Sequence, residues 1–295
     1  MKKISTAMLM FSVALGISIT LSFIAQALGI SPYLKTQGVD YPSILLFCLI
    51  FGFAGSTLSL LLSKWMVKRS LRIEVIDPSL SQGDMRWLYE TVRHLSDRAG
   101  LSKTPEVGIY SSPELNAFAT GSSRSDALIA VTTGLLASMN REEIEGVLAH
   151  EISHIANGDM VRMSLMQGVI NTLVLLVAHV VSALVAERLD ERGRRFMRFQ
   201  LIFLFEIIFG FFGALVVNGY SRVREFRADS GGAALAGRQK MIAALEALRD
   251  RMKLVDPREP RLAAFKIASA SRGFSRFLAT HPPLEDRIAA LRRGV

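Results

Sequence analysis

The hydrophobic positions of this chain are concentrated in four long runs, and this pattern predicts helices long enough to cross a membrane. Residues 4–30 contain no charged side chain, and a second uncharged run covers residues 42–63. Two further apolar segments lie at residues 161–186 and 199–220. A hydrocarbon core about 30 Å thick requires about 20 helical residues, so each run is long enough to span a bilayer.

The first pair of runs is bordered by basic residues on its outer sides. Lys2 and Lys3 precede the first run, and Lys64 and Lys68 follow the second. By the positive-inside rule, both ends of this hairpin face the cytoplasm. Residues 4–30 could instead be a secretory signal peptide, because the Ala-Gln-Ala at 25–27 resembles a cleavage site. The run exceeds the usual signal core of about 7–15 residues, which favours a membrane anchor.

The second pair of runs contains polar groups and leaves two arrangements open. Asn171 and His179 lie in the first of these segments and Glu206 in the second. Such groups are costly in a bilayer unless they face protein, water or a cation. The connection at 187–198 carries five arginines, which the positive-inside rule disfavours outside the cell. The pair is therefore either a spanning hairpin with an atypical loop or a hairpin packed partly against the soluble part.

The segments between and after the hydrophobic pairs read as a mixed soluble domain. Alternation predicts strands at 72–76, 107–110, 115–120 and 127–131, and helical periodicity predicts helices at 84–99, 132–139, 141–157, 221–235, 239–252 and 284–293. A Pro-broken linker is expected at 256–260. A small β-sheet with helices, interrupted by a hydrophobic hairpin, gives an α+β fold with four hydrophobic helices.

This pattern divides the chain into four parts. Residues 1–65 form an N-terminal transmembrane hairpin, and residues 66–158 form the first part of the soluble domain. Residues 159–220 form the second hydrophobic hairpin, and residues 221–295 complete the soluble domain.

Composition and charge exclude several classes of protein. Half of the 295 residues are apolar, which excludes a disordered or collagen-like chain. The single cysteine, Cys48, excludes an intramolecular disulfide framework and a thiolate-only zinc site. The net charge of +9 comes from basic residues scattered along the membrane flanks, and no nucleic-acid-binding motif is visible. We therefore expect the lipid bilayer, and no nucleic acid, as a partner.

The strongest chemical motif is His150-Glu151-Ile152-Ser153-His154, an H-E-x-x-H sequence within the helix predicted at 141–157. Residues four apart lie one turn above each other, so both imidazoles can bind one metal ion. The apolar residues of this helix form a separate stripe that can pack it into a core: Ile144, Leu148, Ile152 and Ile155. Glu151 follows the first histidine and can take a proton from a water molecule at the metal.

A third ligand is predicted at Glu225. Catalytic zinc usually takes three protein ligands and a water, and two histidines with one glutamate are a known set. Asp229 lies one turn beyond Glu225, where its carboxylate could hold a ligand imidazole through the distal nitrogen. Asp159 could do the same or could equally be a surface acid at a helix end. His150 and Glu225 are separated by two apolar segments, an even number, so they can share one face of the membrane.

Together these motifs resemble the HtpX family of bacterial membrane zinc metalloproteases, which is related to the CAAX prenyl proteases. The resemblance covers nearly the whole chain and includes the segments Asn-Ala-Phe-Ala-Thr-Gly at 116–121 and Thr-His-Pro-Pro-Leu-Glu-Asp-Arg at 280–287. It implies a zincin-like metalloprotease domain with an active-site helix. It also implies one zinc ion bound by His150, His154 and Glu225, with Glu151 as general base.

The resemblance further implies roles for His281 and Arg287. A histidine near the substrate carbonyl and an arginine that supports the site are the matching family positions. A donor aimed at the developing oxyanion is also what peptide hydrolysis requires. The alternatives are a turn residue held by two prolines for His281 and a plain surface residue of a helix for Arg287.

The strand at Asn116, Ala117, Phe118 and Ala119 is a candidate for substrate binding. An edge strand beside a protease cleft pairs with an extended substrate through main-chain hydrogen bonds. The alternative is an ordinary core strand with Phe118 packed inward. Both can hold together, because alternate residues of a strand face opposite sides.

The sequence thus predicts a multi-pass zinc endopeptidase of the bacterial inner membrane with a cytoplasmic catalytic domain. Its expected substrates are polypeptides, in particular misfolded or damaged membrane proteins, as part of membrane quality control and the stress response. Two alternatives remain: a prenyl-protein-type peptidase, whose known members have more spans, and a non-catalytic membrane scaffold or chaperone with a structural metal.

Overall fold

The chain folds into two compact units, each assembled from two separate stretches of sequence. The computed structural model describes residues 6–27, 29, 35, 40–186, 191–254 and 281–294. One unit holds the described residues of Met1–Ser59 and Arg162–Val217, and the other those of Leu60–Val161 and Asn218–Val295. The expected linker at 256–260 and Thr280 lie outside the described residues. The four predicted part boundaries remain predictions.

Nine helices and four strands make up the described residues. The helices are α1 (Thr6–Ala27), α2 (Tyr41–Ser70), α3 (Gly83–Arg98), α4 (Thr133–Ser138), α5 (Arg141–Asn157), α6 (Asp159–Ala186), α7 (Glu191–Ala236), α8 (Arg238–Leu254) and α9 (Leu284–Arg293). The strands are β1 (Glu74–Val75), β2 (Glu106–Tyr110), β3 (Ala117–Ser123) and β4 (Asp126–Thr132). The α+β class predicted from the sequence is confirmed.

The sheet has the strand order β1-β2-β4-β3, which leaves β3 at an edge. Strands β2 and β4 are parallel, whereas β1 and β3 are antiparallel to their neighbours. In the β3–β4 pair, Ala117 lies opposite Val131 and Phe118 opposite Ala130. A β-bulge between Gly121 and Ser123 ends the regular pairing. The edge position of β3 matters for the site, because the side chains of Ala117 and Ala119 pack on the core that includes α5.

Helix α5 is held by its apolar stripe, as the sequence predicts. Ile144, Leu148, Ile152 and Ile155 are all buried in the main core. Burial of an aliphatic side chain of this size contributes about 1.5–3 kcal/mol to the free energy of folding. The stripe therefore fixes the rotation of α5 and, with it, the direction of every polar side chain on the helix.

Two differences from the predicted elements have clear physical reasons. Arg72 has a φ of 50°, so the strand expected at 72–76 is reduced to Glu74–Val75. Helix α7 runs without a break through the end of the apolar run at residue 220. The main-chain hydrogen bonds of a helix do not depend on side-chain polarity, so a change from apolar to polar residues need not end it.

Three described helices are long and apolar enough to cross a membrane: Tyr41–Ser70, Asp159–Ala186 and Phe196–Ala236. The sequence predicts four membrane helices, one more than the structure shows among the described residues. In the first hydrophobic run, only Ser18–Ala27 counts as a shorter apolar helix among the described residues.

The unit formed by Met1–Ser59 and Arg162–Val217 is packed through close contacts between its helices. A Cβ atom at Gly52 of α2 would lie 2.3 Å from Thr172 Oγ1 of α6, so glycine is required there. Next to this contact, Asn171 donates a hydrogen bond to the Gly52 carbonyl at 3.5 Å. Small residues of this kind let the backbones of membrane helices approach one another.

Candidate metal centre

Both ends of α5 are capped, which defines the helix that carries the H-E-x-x-H motif. The Asn140 side chain accepts from the Glu143 N–H at 3.0 Å, and the Glu143 carboxylate accepts from the Asn140 N–H at 3.0 Å. This capping box satisfies two otherwise unpaired donors. At the other end Gly158 has a φ of 69°, the left-handed conformation that favours glycine. The left-handed turn at Gly158 leads directly into α6, which begins at Asp159.

The predicted ligands His150, His154 and Glu225 meet at one point. The two Nε2 atoms are 3.1 Å apart, and the Glu225 carboxylate oxygens lie 3.5 Å from His150 Nε2 and 3.4 Å from His154 Nε2. All three side chains are buried, and their ligand atoms lie within 4.8 Å of one another. In a tetrahedral site with bonds of about 2.0–2.1 Å, ligand atoms are about 3.3 Å apart. The spacing and the donor types therefore fit a zinc-sized ion.

The outer nitrogen of His150 is held by a buried carboxylate. His150 Nδ1 lies 3.0 Å from Asp229 Oδ1. Arg287 in turn donates to both oxygens of Asp229, at 2.7 Å from Nε and 2.6 Å from Nη2. Arg287 is buried rather than a plain surface residue. The pair Arg287–Asp229 thus fixes both the carboxylate and the imidazole that it contacts, as expected for the outer shell of a metal site.

His154 has its own carboxylate partner, Asp159. His154 Nδ1 lies 2.7 Å from Asp159 Oδ2, and Asp159 is 1% exposed. The surface-acid alternative for Asp159 is therefore wrong. Its other oxygen, Oδ1, has no hydrogen-bond partner among the described residues. In the sequence, the only signal for this contact is Gly158. A glycine just after the motif can adopt the left-handed conformation, which turns the next residue back toward the histidine.

These contacts alter the protonation of both imidazoles in the metal-free protein. Burial lowers the pKa of His154, but its hydrogen bonds to Asp159 and Glu225 outweigh this effect and raise the pKa to about 9. Burial also opposes the charged form of His150, whose pKa is raised by Asp229 and Glu225. A metal ion that binds here must therefore displace protons from its ligands.

Glu151 lies in this site without a fixed partner. It is 9% exposed, and among the described residues it makes no hydrogen bond or ion pair. Its charge contributes to the electrostatic environment of His154 and Arg287. A buried carboxylate next to two imidazoles, with unpaired oxygens, is able to accept a proton from a water molecule.

Helix α7 reaches α5 because two successive glycines line the contact. A Cβ at Gly231 would lie 2.1 Å from Ser153 Oγ. A Cβ at Gly232 would lie 3.1 Å from the main-chain nitrogen of His150 and 2.9 Å from Met241 Sδ. Larger residues at either position would push the helices apart. The glycines therefore set the distance at which Glu225, on the same helix, meets the histidines.

Two further side chains, His281 and Arg224, contact the Glu225 carboxylate. His281 Nδ1 lies 2.9 Å from Oε2, although 53% of the His281 side chain is exposed. Arg224 Nη2 donates to Oε1 at 3.3 Å. The predicted histidine is thus brought to the site, in contact with the third ligand. Arg224 was missed in the sequence, where a basic residue beside a ligand looks like any other charged helix position.

The candidate substrate strand lies at the free edge of the sheet. Asn116 pairs with Thr132, whose N–H donates to the Asn116 carbonyl at 3.0 Å. Main-chain groups alternate in direction along an edge strand, so those of Ala117 and Ala119 face away from β4. Phe118 does not pack into the main core but contacts Tyr110, with ring centroids 5.9 Å apart. Within the part of the chain that the structure describes, the outer main-chain groups of β3 pair with no other strand, and its alanines pack on the core that includes α5.

Comparison with known proteins identifies the family of this chain. The family model "Peptidase family M48" matches residues 83–295. Protease HtpX homologs from Methylacidiphilum infernorum and Thiobacillus denitrificans are 48% and 46% identical. The first alignment covers 92% of this chain and 93% of the relative, and the second 94% and 95%. Protease HtpX from Shewanella denitrificans is 44% identical, with 97% and 98% covered.

A solved structure shares the fold. The crystal structure of S. mikatae Ste24p matches with a TM-score of 0.60 and 20% identity. The match covers 95% of this chain and 66% of that chain, so this chain spans about two thirds of its length. The match to the family model over residues 83–295 and the identity of 44–48% to HtpX proteases show the family. The chain belongs to peptidase family M48, as a membrane metalloprotease of the HtpX group.

Proposed function

We propose that this protein is a zinc-dependent endopeptidase that hydrolyses peptide bonds in membrane-associated polypeptides. The observation that carries the proposal is the convergence of His150, His154 and Glu225, with Glu151 free beside them. Three protein ligands leave a fourth position for water or substrate, which distinguishes a catalytic zinc site from a closed structural one.

His150, His154 and Glu225 would hold the ion. Zinc bound there would lower the pKa of a water molecule and polarise a substrate carbonyl. Glu151 takes a proton from the attacking water and passes it to the amine that leaves. Asp229 and Asp159 keep each imidazole in the tautomer that presents Nε2 to the ion, because both contact the Nδ1 atoms.

The substrate binds along β3 in an extended conformation. The free main-chain groups of Ala117 and Ala119 pair with the substrate backbone, and their small side chains keep this edge close to α5. Asn116 and Phe118 complete the strand, with Asn116 fixed by Thr132 and Phe118 by Tyr110. Recognition of the backbone rather than side chains suits substrates of varied sequence, such as misfolded proteins.

His281 donates a hydrogen bond to the oxyanion that develops on the substrate carbonyl. It is half-exposed, and its Nδ1 donates to the Glu225 carboxylate, so the other ring nitrogen donates to the oxyanion when the imidazole is protonated on both nitrogens. Arg287 positions His150 through Asp229 rather than touching the substrate. A single oxyanion donor of this kind is worth about 100–1,000-fold in kcat.

Membrane proteins at the cytoplasmic face are the proposed substrates. Two of the candidate membrane helices belong to the site itself: α6 provides Asp159 and α7 provides Glu225. The basic residues beyond the second hydrophobic run favour a cytoplasmic position for the following domain. In a bacterium this corresponds to the inner membrane and to a role in membrane protein quality control.

The test is the variant Glu151→Gln in the purified full chain. We expect unchanged zinc content and at least about a 100-fold loss of zinc-dependent casein cleavage, because the base is removed while the ligands remain. Glu142→Gln is the matched control, since Glu142 is exposed in the first turn of the same helix. Full activity of Glu151→Gln would refute the assigned base. Zinc binding without any peptidase activity in the wild type would instead support a scaffold with a structural metal.

A further inference from the structure

The last turns of α2 have an exposed face that changes from apolar to aromatic to basic. Leu62, Trp65 and Arg69 follow one another at intervals of three and four residues, which places them on one side of the helix. All three are exposed, Trp65 to 64%. Arg72 follows three residues later, just beyond the end of the helix, and is also exposed. We call Trp65, Arg69 and Arg72 the headgroup face.

The lysines of the same turns have a different role. Lys64 Nζ lies 2.7 Å from Asp126 and 2.9 Å from Glu106, and Lys68 also pairs with Glu106. These carboxylates lie at the first residues of β2 and β4, so the two lysines attach the helix to the sheet. Within the described residues, Arg69 and Arg72 make no ion pair or hydrogen bond. The positive charges of the headgroup face are therefore available to a partner.

Arg72 occupies a backbone position that glycine normally fills. The Ile73 N–H donates to the Lys68 carbonyl at 3.0 Å, which is the long-range bond of a Schellman motif. Arg72 is the left-handed residue of this motif, with a φ of 50°, and no other described non-glycine residue has a positive φ. A side chain in this conformation is strained. Among the described residues, the Arg72 side chain makes no ion pair or hydrogen bond that would offset this strain.

We propose that the headgroup face binds the headgroups of anionic phospholipids. Helix α2 has 30 residues and is about 45 Å long, so about ten of its residues extend beyond a hydrocarbon core of about 30 Å. Tryptophan is enriched at the membrane interface, and arginines placed just outside it attract anionic lipid. The order Leu62, Trp65, Arg69, Arg72 matches the order of hydrocarbon, interface and phosphate. The headgroup face is thus a lipid-binding site separate from catalysis.

Trp65 allows a direct test, because the chain has only one other tryptophan, Trp87. The full chain carrying Trp87→Phe is reconstituted in phosphatidylcholine vesicles that contain equal fractions of brominated phosphatidylglycerol or brominated phosphatidylcholine. Each arginine near an anionic surface contributes about fivefold to local lipid enrichment. We expect stronger quenching of Trp65 by the brominated phosphatidylglycerol, and this preference should decrease as salt is raised.

The variant Arg69→Gln/Arg72→Gln should remove the preference for phosphatidylglycerol. The control Arg93→Gln/Arg293→Gln removes the same charge from exposed positions of the same unit. This control should keep the preference for phosphatidylglycerol. Equal quenching by both brominated lipids in the parent protein would overturn the proposal, as would a preference that survives the Arg69/Arg72 change. Neither result would affect the proposed peptidase activity, which is measured separately with casein.

Arg72→Gly separates the lipid role from a structural one. Glycine accepts a φ of 50° without strain, so the thermal midpoint in pure phosphatidylcholine should rise. The preference for phosphatidylglycerol should nevertheless fall to about one fifth, because one arginine is lost. A lower thermal midpoint, or an unchanged lipid preference, would contradict the assignment of Arg72 to lipid.

Discussion

The Nδ1 atom of His154 lies 2.7 Å from Oδ2 of Asp159, across the single glycine that separates two helices. This contact links a metal ligand to the first residue of a candidate membrane helix. Loss of such a carboxylate typically weakens metal binding by about 10–100-fold. We therefore expect Asp159→Asn to raise the dissociation constant for zinc by that factor, measured by competition with a chromophoric chelator.

The control for this variant is Asp97→Asn, which changes an exposed aspartate of α3 and should leave zinc affinity unchanged. Unaltered affinity in Asp159→Asn would mean that the His154–Asp159 contact is structural only. Circular dichroism of the metal-free variant checks that the fold is retained.

Zinc binding should release protons at neutral pH. In the metal-free protein the pKa of His154 is about 9, because its contacts with Asp159 and Glu225 outweigh burial. The imidazole is therefore charged at pH 7 and must lose its proton to bind the ion, so the apparent affinity should rise at least about tenfold per pH unit up to about pH 9. Titration calorimetry in buffers of different ionisation enthalpy measures the protons released. A binding enthalpy that is independent of the buffer would contradict this prediction.

Gly231→Ala should disturb the contact between α5 and α7. The new methyl group would lie 2.1 Å from Ser153 Oγ, so the helices must separate or Ser153 must move. Overpacking of this kind typically costs about 1–3 kcal/mol of unfolding free energy. We expect a lower thermal midpoint and weaker zinc binding, with partial recovery in Gly231→Ala/Ser153→Ala. Gly210→Ala is the control, because no atom lies within 4 Å of its Cβ position.

The ion pairs of Lys64 make stability depend on pH in a defined direction. The hydrogen bond from Lys64 lowers the pKa of Asp126. Burial raises the pKa of Glu106, but hydrogen bonds from Lys68 and Lys64 outweigh it and lower that pKa. A carboxyl whose pKa is lower in the folded state stabilises the fold above its unfolded pKa of about 4, and this contribution is lost as the pH falls through the folded value.

Lys64→Met should therefore be less stable than the wild type at pH 7 by about 0.5–1 kcal/mol, since the pairs are partly exposed. The difference should shrink below about pH 4, where the carboxylates become protonated. Thermal unfolding of both proteins between about pH 3 and about pH 7 measures this difference in stability. A difference that stays constant over the range would show that the lysine acts by packing alone.

Much of the site could be predicted because its groups lie on regular helices. The spacing of His150 and His154 places both imidazoles on one side of α5, and the apolar stripe determines which side faces the core. Asp229 was found in the same way, one turn beyond Glu225. Asp159 could not be assigned, because its direction depends on the left-handed turn at Gly158 rather than on a helical period.

The sheet and the long helices were harder to predict. The order β1-β2-β4-β3 depends on long-range pairing, which local alternation in sequence does not encode. Residues 199–220 and 221–235 were predicted as separate segments, whereas one helix, α7, runs through both of them to Ala236. The contacts of Gly231 and Gly232 were likewise missed, since a glycine in a helix does not show what packs against it.

The continuity of α7 restricts how this protein can change in length. Each residue added to a helix turns everything beyond it by about 100°, so one insertion between Glu225 and Gly231 would turn the ligand away from the glycines that contact α5. An addition of about seven residues, close to two full turns, would restore the angle but move Glu225 about 10 Å along the helix axis. Descendants of this sequence should therefore keep the spacing between Glu225 and Gly231 unchanged.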